Sequence, residues 1–346
     1  MNDIATVVGL DIAKTVFVAV ALNERGKVLW KKKLSRDEVL PYFANLSAMQ
    51  VGIEACAGAH YWARKLNGQG HETKLIAAQH VKPYVTGSKN DWNDAQAIAE
   101  ARSRGETKYV PINSEAQQDM QMLHRARQAL QVERKGVICR LRAFAGEYGK
   151  VFPVGVSKFR KAIVDWLGQA CNGLSGSATQ TLQELLEQLD DREKRLVSYD
   201  ARIARLADED ERAQRLMRVP GIGKLTATAM LAAVSDPRHY PSSRDLSANF
   251  GLVPRQHSSG GKDRLYGITK RGNAYLRTLL IHCARSALRC AEGKPDRMLR
   301  WAWQVQQRRG AKVAAVALAN KLARIVWVLL ANGSEYEPIP AGRVRS

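Results

Sequence analysis

The sequence predicts an α/β amino-terminal domain built on a mixed sheet, then long helices with a coiled-coil pattern, then a mostly helical carboxy-terminal domain. Three observations carry this reading. Strand and helix signals alternate through the first 110 residues. Leu182, Leu189, Leu196 and Ile203 recur every seven residues. The net charge of +21 is concentrated at one end: residues 213–346 hold 23 basic and 7 acidic residues, against 15 and 11 in 1–110 and 16 and 15 in 111–212. So basic a chain is drawn to polyanions, nucleic acid first among them.

Each element follows from its local pattern. TVVGLDIA, TVFVAVALN and KVLWKKKLS are apolar or alternating runs, with ERG as a turn before the third, and they read as three antiparallel strands. A helix is expected over 36–46, a strand at QVGIEA, a helix over 60–66, a strand at TKLIAA and a helix from Asp91. The order βββαβαβα implies a mixed sheet carrying helices, with the first and fourth strands adjacent at its centre. Residues 115–148 and 179–210 read as long helices, and 168–179 as a loop between the helical blocks. The heptad stripe suits either a coiled coil with another subunit or a helical hairpin within one chain. The expected domains are therefore 1–110, 111–212 and 213–333, with 334–346 as a loosely ordered tail.

Composition also excludes classes. Five scattered cysteines without a Cys-x-x-Cys pair offer neither a zinc signature nor a disulfide framework, and they suit a reducing cytoplasm. The amino terminus carries Asp3 and Asp11 and lacks the basic start of a signal peptide. The apolar run 313–331 is interrupted by Asn320, Lys321 and Arg324, so a buried or amphipathic helix is expected there and no membrane partner.

Three constellations carry chemistry. Asp11 lies on the first strand, Glu54 ends the fourth, and Asp91 and Asp94 share one face at the start of a helix. Singly each has a plain reading; the last two suit a helix dipole. Together, at the centre of a sheet, four carboxylates repel unless cations neutralise them. Their hard oxygens suit Mg²⁺ or Mn²⁺, and two such ions clamp the attacking and leaving oxygens of a phosphodiester.

The second is RVPGIGKLTATAML over 218–231, which resembles the hairpin of helix-hairpin-helix DNA-binding elements. Gly221 and Gly223 let backbone N–H groups approach a phosphate, and Lys224 adds charge. A simple helix–helix turn is the plainer alternative. The third is FGLVPRQHSSGGKDRLYGITKRGNAYLRTLL over 250–280. Ser258 and Ser259 precede a glycine pair that gives the loop room to move, among Arg255, Lys262, Arg264, Lys270, Arg271 and Arg277. Beside so much positive charge a serine can attack a phosphate.

Asp11, GIEACAGAHYWAR, KNDWNDAQAIAE, VPGIGKLTA and FGLVPRQHSSGGKDRLYGITKRGN, in this order, resemble the DEDD-type insertion-sequence transposases of the IS110/IS1111 group, over about residues 5–330. The resemblance implies a RuvC-like, RNase H-type first domain with Asp11, Glu54, Asp91 and Asp94 as a Mg²⁺-binding tetrad. It implies a coiled-coil dimerisation segment and a carboxy-terminal transposase domain whose nucleophile maps to Ser259. It further implies guidance by an element-encoded bridge RNA that pairs with donor and target DNA, and a homo-oligomer, dimer or tetramer, acting on the bacterial nucleoid. The rival reading is a RuvC-like junction-resolving endonuclease, in which the same acids activate water.

Overall fold

The computed structural model describes residues 4–338 apart from Lys89, Glu106 and Ser235. The chain divides into two compact units, Met1–Glu115 and Ala116–Ser346.

The first unit holds a six-stranded sheet of β1 (Val7–Asp11), β2 (Val16–Leu22), β3 (Val28–Ser35), β4 (Gln50–Glu54), β5 (Glu72–Ile76) and β6 (Tyr109–Val110), in the order β3-β2-β1-β4-β5-β6. β1 and β4 are the expected central neighbours, parallel and in register from Val7↔Gln50 to Leu10↔Ile53. β2 and β3 extend one side antiparallel, β5 continues the other side parallel, and the short β6, which sequence reading missed, closes it antiparallel. The described residues of this unit also form the α-helices α1 (Val39–Ala44), α2 (Ala59–Gly68), α3 (Ala78–Val81) and α4 (Asp91–Ser103). α1 starts later than expected because the backbone N–H and hydroxyl of Ser35 both donate to the Glu38 carboxylate, at 2.7 and 2.8 Å, and hold a turn there.

Strand alternation sorts the side chains to two faces. Val8, Leu10, Val51 and Ile53 form one core with Val39 and Phe43 of α1 and Trp62, Ala63 and Leu66 of α2. Val7, Val18, Val20 and Leu22 form another with Ala95 and Ala99 of α4. Helices therefore cover both faces, as a parallel seam requires.

The second unit contains α5 (Glu115–Glu147), α6 (Val156–Leu167), α7 (Gly176–Glu209), α8 (Glu211–Met217), α9 (Lys224–Ala233), α10 (Ser243–Asn249), the strands β7 (Pro254–Gln256) and β8 (Leu265–Ile268), then α11 (Ala274–Arg289), α12 (Arg297–Arg309) and α13 (Ala311–Asn332). The heptad stripe is used within the chain. Leu182, Leu185 and Leu189 pack with Val137, Leu141 and Ala145 of α5 and Phe159, Ile163 and Trp166 of α6, and Leu196 and Ile203 are buried too. α6, absent from the sequence reading, supplies the aromatic side of this core. Arg134–Glu193 at 2.7 Å and Arg127–Asp200 at 2.5 Å tie α5 to α7, and Arg192 of α7 meets Glu133 of α5 at 3.4 Å. The first half of the stripe thus packs in a helical hairpin within one chain.

α13 is long and apolar enough to cross a membrane by length and composition. It is the central helix of the helical core: Ala314, Leu318, Leu322 and Val326 are fully buried among α10, α11 and α12. The segment after it is docked rather than loose. Tyr336 packs on that core and its hydroxyl donates to Asp296 at 2.6 Å, and Glu335 pairs with Arg218. Burial and that hydrogen bond push the Tyr336 hydroxyl pKa up. Only residues 339–346 of the expected tail lie outside the described residues.

Candidate active site

Asp11 and Glu54 are the last residues of β1 and β4, one step beyond the register pair Leu10↔Ile53, so they stand side by side at the carboxyl end of the parallel seam. By alternation both face α4. The same face carries the register pair Gly9↔Gly52. A Cβ on Gly9 would lie 2.0 Å from the Ala95 carbonyl oxygen and 2.4 Å from the Ala99 nitrogen; one on Gly52 would lie 2.9 Å from Arg102 Cβ and 3.1 Å from Ile98 Cγ2. Two bare backbone positions thus form a trough into which α4 sinks. α4 is suited to it because Ala95, Ala97, Ala99 and Ala101 are all small and buried. Sequence reading missed this pair, and its only signal was a glycine in each of two predicted strands.

The seating of α4 brings its first turn to the acids. Asn90 caps the helix by accepting from the Asn93 backbone N–H at 2.9 Å, and Asp91 and Asp94 lie in that turn. All four predicted acids are electrostatically joined. The Asp11 carboxyl is pushed up to about 6, by burial first and then by Asp94, Asp91 and Glu54. The Cys56 thiol, beyond the end of β4, is raised by burial and by the charges of Glu54 and Asp11. Among the described residues no three His, Cys, Asp or Glu side chains stand close enough to form a preformed metal cage. The donor set, all carboxylate oxygen, fits Mg²⁺ or Mn²⁺ and no softer metal.

In the second unit, Ser258 and Ser259 sit at the end of the β7–β8 hairpin. Ser259 and Lys262 form an antiparallel bridge, with the Lys262 N–H donating to the Ser259 carbonyl at 3.1 Å. Gly260 and Gly261 between them have φ of +57° and +73°, the primed turn that suits a hairpin's twist. The glycines therefore make a tight turn where a loose loop was expected. Ser258 donates its hydroxyl to Asp263 at 2.6 Å and accepts from Gln256 at 2.8 Å. Asp263 is held below the usual carboxylate range by the hydrogen bonds it accepts, from Ser258 first and then from Gln256 at 3.2 Å, which makes it a weak base. The Ser259 side chain is exposed and makes no hydrogen bond among the described residues.

The hairpin carries Arg255, Lys262 and Arg264, all exposed. Its base is locked. A Cβ on Gly251 would lie 2.1 Å from the Arg271 carbonyl oxygen and one on Gly272 1.8 Å from that of Asn249. Lys270, beside them, adopts φ +56°. Arg277 donates to the carbonyls of Phe250 at 3.0 Å and Arg271 at 3.3 Å, so it braces the hairpin, while Lys270 and Arg271 stay exposed.

The turn between α8 and α9 divides its two glycines. Gly221, at φ +90°, has no room for a Cβ because the Cys283 carbonyl of α11 would be 2.4 Å away, so it lets this turn pack on α11. Gly223 precedes α9 with open space around it, and Lys224 next to it pairs with Asp208 at 2.6 Å.

Two family models match the chain. One, described as the transposase IS116/IS110/IS902 family, covers residues 213–300, and another, described as transposase, covers 8–149. A probable family 20 transposase of Pseudomonas aeruginosa is 43% identical over 96% of this chain and 98% of its own length. The transposase for insertion sequence element IS1111A of Coxiella burnetii is 42% identical over 97% and 92%, and that for element IS1328 of Yersinia enterocolitica 39% over 96% and 98%. A mixed sheet with acids at its seam, followed by a basic helical half, is here the build of a DNA transposase, an enzyme that breaks and rejoins phosphodiester bonds. The chain belongs to the IS116/IS110/IS902 family of insertion-sequence transposases.

Proposed function

We propose that this transposase is an RNA-guided, Mg²⁺-dependent recombinase that exchanges DNA strands through a phosphoserine link to Ser259. The observation that carries the reading is the grouping of Asp11 with Asp94, Asp91 and Glu54: burial first, and then these three charges, raise its carboxyl to about 6, and a cation would relieve the repulsion. Asp11, Glu54, Asp91 and Asp94 would hold Mg²⁺, which when bound supplies charge stabilisation at the scissile phosphate.

The residues of the chain do the rest. Ser259 Oγ attacks phosphorus, its proton leaves, and the 3′-oxygen departs as a hydroxyl; the strand is then held by its 5′-phosphate on serine. A 3′-hydroxyl of the partner strand displaces the serine and restores a phosphodiester without net hydrolysis. Lys262 and Arg264 counter the charge that grows on the phosphorane. The reading of Ser259 is supported by its exposed position on a rigid turn, while Ser258 is tied to a weakly basic carboxylate. Gly223, Lys224, Arg255, Lys270 and Arg271 would grip phosphates independently of sequence. Target choice then falls to pairing with the bridge RNA, in a dimer or tetramer on the nucleoid in the cytoplasm.

The test is strand exchange on donor and target DNA with the purified chain and the RNA transcribed from its element. Product is expected only with both RNA and Mg²⁺; product in EDTA, or without RNA, would overturn the corresponding part.

A further inference from the structure

A groove of about 1870 Å³ runs between the β7–β8 hairpin and helices α12 and α13. It exceeds the about 300–1,000 Å³ of most small-molecule sites. Its lining holds seven Arg or Lys side chains against three acids. Two of those acids are already committed. Asp296 accepts from the N–H groups of Met298 and Leu299 and from Tyr336, and Glu335 pairs with Arg218.

Lys321 stands half-buried mid-helix, its ammonium 4.4 Å from the centre of the Trp301 ring. Its pKa is lowered by burial first, then by Arg297 and Arg324. Among the described residues none of these three cations forms an ion pair. Lys321 feels the opposite charge of Asp296, but Arg297 and Arg324 are exposed and point their charge at the groove, where an anion can meet them. Beside it the wall is apolar (Leu252, Ile325, Val328), and Tyr266 on the hairpin is 50% exposed.

We propose that this groove binds an unpaired nucleic-acid strand, with Arg297, Lys321 and Arg324 on its phosphates and Tyr266 stacked on a base. Cations that track a backbone, combined with an exposed aromatic face, are what single strands use. A duplex hides its base faces and would leave the apolar wall and Tyr266 without a role. The inference rests on the proposed recombinase reading for its setting, in which strands are opened and exchanged.

The experiment measures fluorescence anisotropy of labelled oligo-dT, oligo-U and a duplex of equal length with the full chain, across a salt series. Arg297→Gln with Arg324→Gln should weaken single-strand binding about tenfold or more and reduce the slope of log K against log salt by about 1.4, for two lost phosphate contacts. Duplex binding should move less than about twofold. Tyr266→Ser should weaken single-strand binding about fivefold with the slope unchanged. Lys321→Arg should retain binding where Lys321→Met loses it, which separates charge from folding. Tight binding of either dT or U supports the groove and names its strand. Unchanged strand affinity in the variants, or equal loss on duplex and strand, overturns it. No DNA cleavage is needed: a chain inactive in strand exchange that still shows these differences keeps the groove and refutes the catalytic reading, and the converse does the opposite.

Discussion

Gly9 and Gly52 face each other across two parallel strands, and the absence of two side chains lets a helix backbone come within 2.0 Å of where a Cβ would stand. The position of Asp91 and Asp94 depends on that approach. Gly9→Ala meets backbone atoms of α4, which yield only if the helix lifts. It should cost about 3 kcal/mol, at the top of the usual overpacking range. Gly52→Ala meets mainly side-chain atoms of Arg102 and Ile98 and should cost nearer about 1 kcal/mol. Urea denaturation of both variants checks the order; equal, small losses would mean that α4 is not seated by the glycine pair.

Asp11→Asn removes one of four mutually repelling charges. The metal-free protein should melt a few degrees higher at neutral pH, while strand cleavage is lost. Thermal scans with and without Mg²⁺ give the second half of the test. Mg²⁺ should raise the wild-type midpoint and shift the variant less. An unstabilised variant that still cleaves DNA would remove Asp11 from the site.

His124 ties three helices. Its ring lies 3.0 Å from the Thr228 hydroxyl of α9 and 3.0 Å from that of Tyr275 on α11. Burial, then Arg127, lowers its pKa from 6.5 to about 4. A folded value below the unfolded one means that the unfolded chain takes up the proton first. The contribution is therefore present above pH 6.5 and lost progressively as pH falls toward about 4. His124→Ala should cost about 1–2 kcal/mol at pH 7 by taking the partner from the Tyr275 hydroxyl, while Thr228 keeps its hydrogen bond to the Lys224 carbonyl. It should also flatten the stability curve between those pH values, which denaturation at a series of pH values measures.

The stripe of α7 gives a fourth expectation. Leu189 is fully buried against α5 and α6, so Leu189→Ala should cost about 2–5 kcal/mol, with the mass by light scattering unchanged. A lower mass would give the stripe a role between subunits after all.

The strands were legible because their runs are short, apolar and bounded by turn residues. The acids were legible because a carboxylate at the centre of a sheet has few plain explanations. What the sequence hid was relational. Gly9 and Gly52 are informative only once β1 and β4 are known to pair in register. The stripe of α7 has the same spacing whether it meets another subunit or its own chain, and only the fold shows Leu182 and Leu189 packed on α5 and α6. Gly221 and Gly223 look equivalent in sequence, yet only the first has a helix backbone against it. Ser258 and Ser259 likewise look alike in sequence, and the hairpin brings Asp263 and Gln256 to the hydroxyl of Ser258 alone.

The central claim is that Ser259 carries the strand. Labelled DNA is incubated with the chain, RNA and Mg²⁺, then denatured, and protein-linked label is measured for the wild type, Ser259→Ala and Ser258→Ala. The wild type and Ser258→Ala should form the adduct, and Ser259→Ala should bind RNA and DNA but form none. An adduct that persists in Ser259→Ala and disappears in Ser258→Ala, or strand exchange by the wild type with no adduct under any trapping condition, would contradict the account.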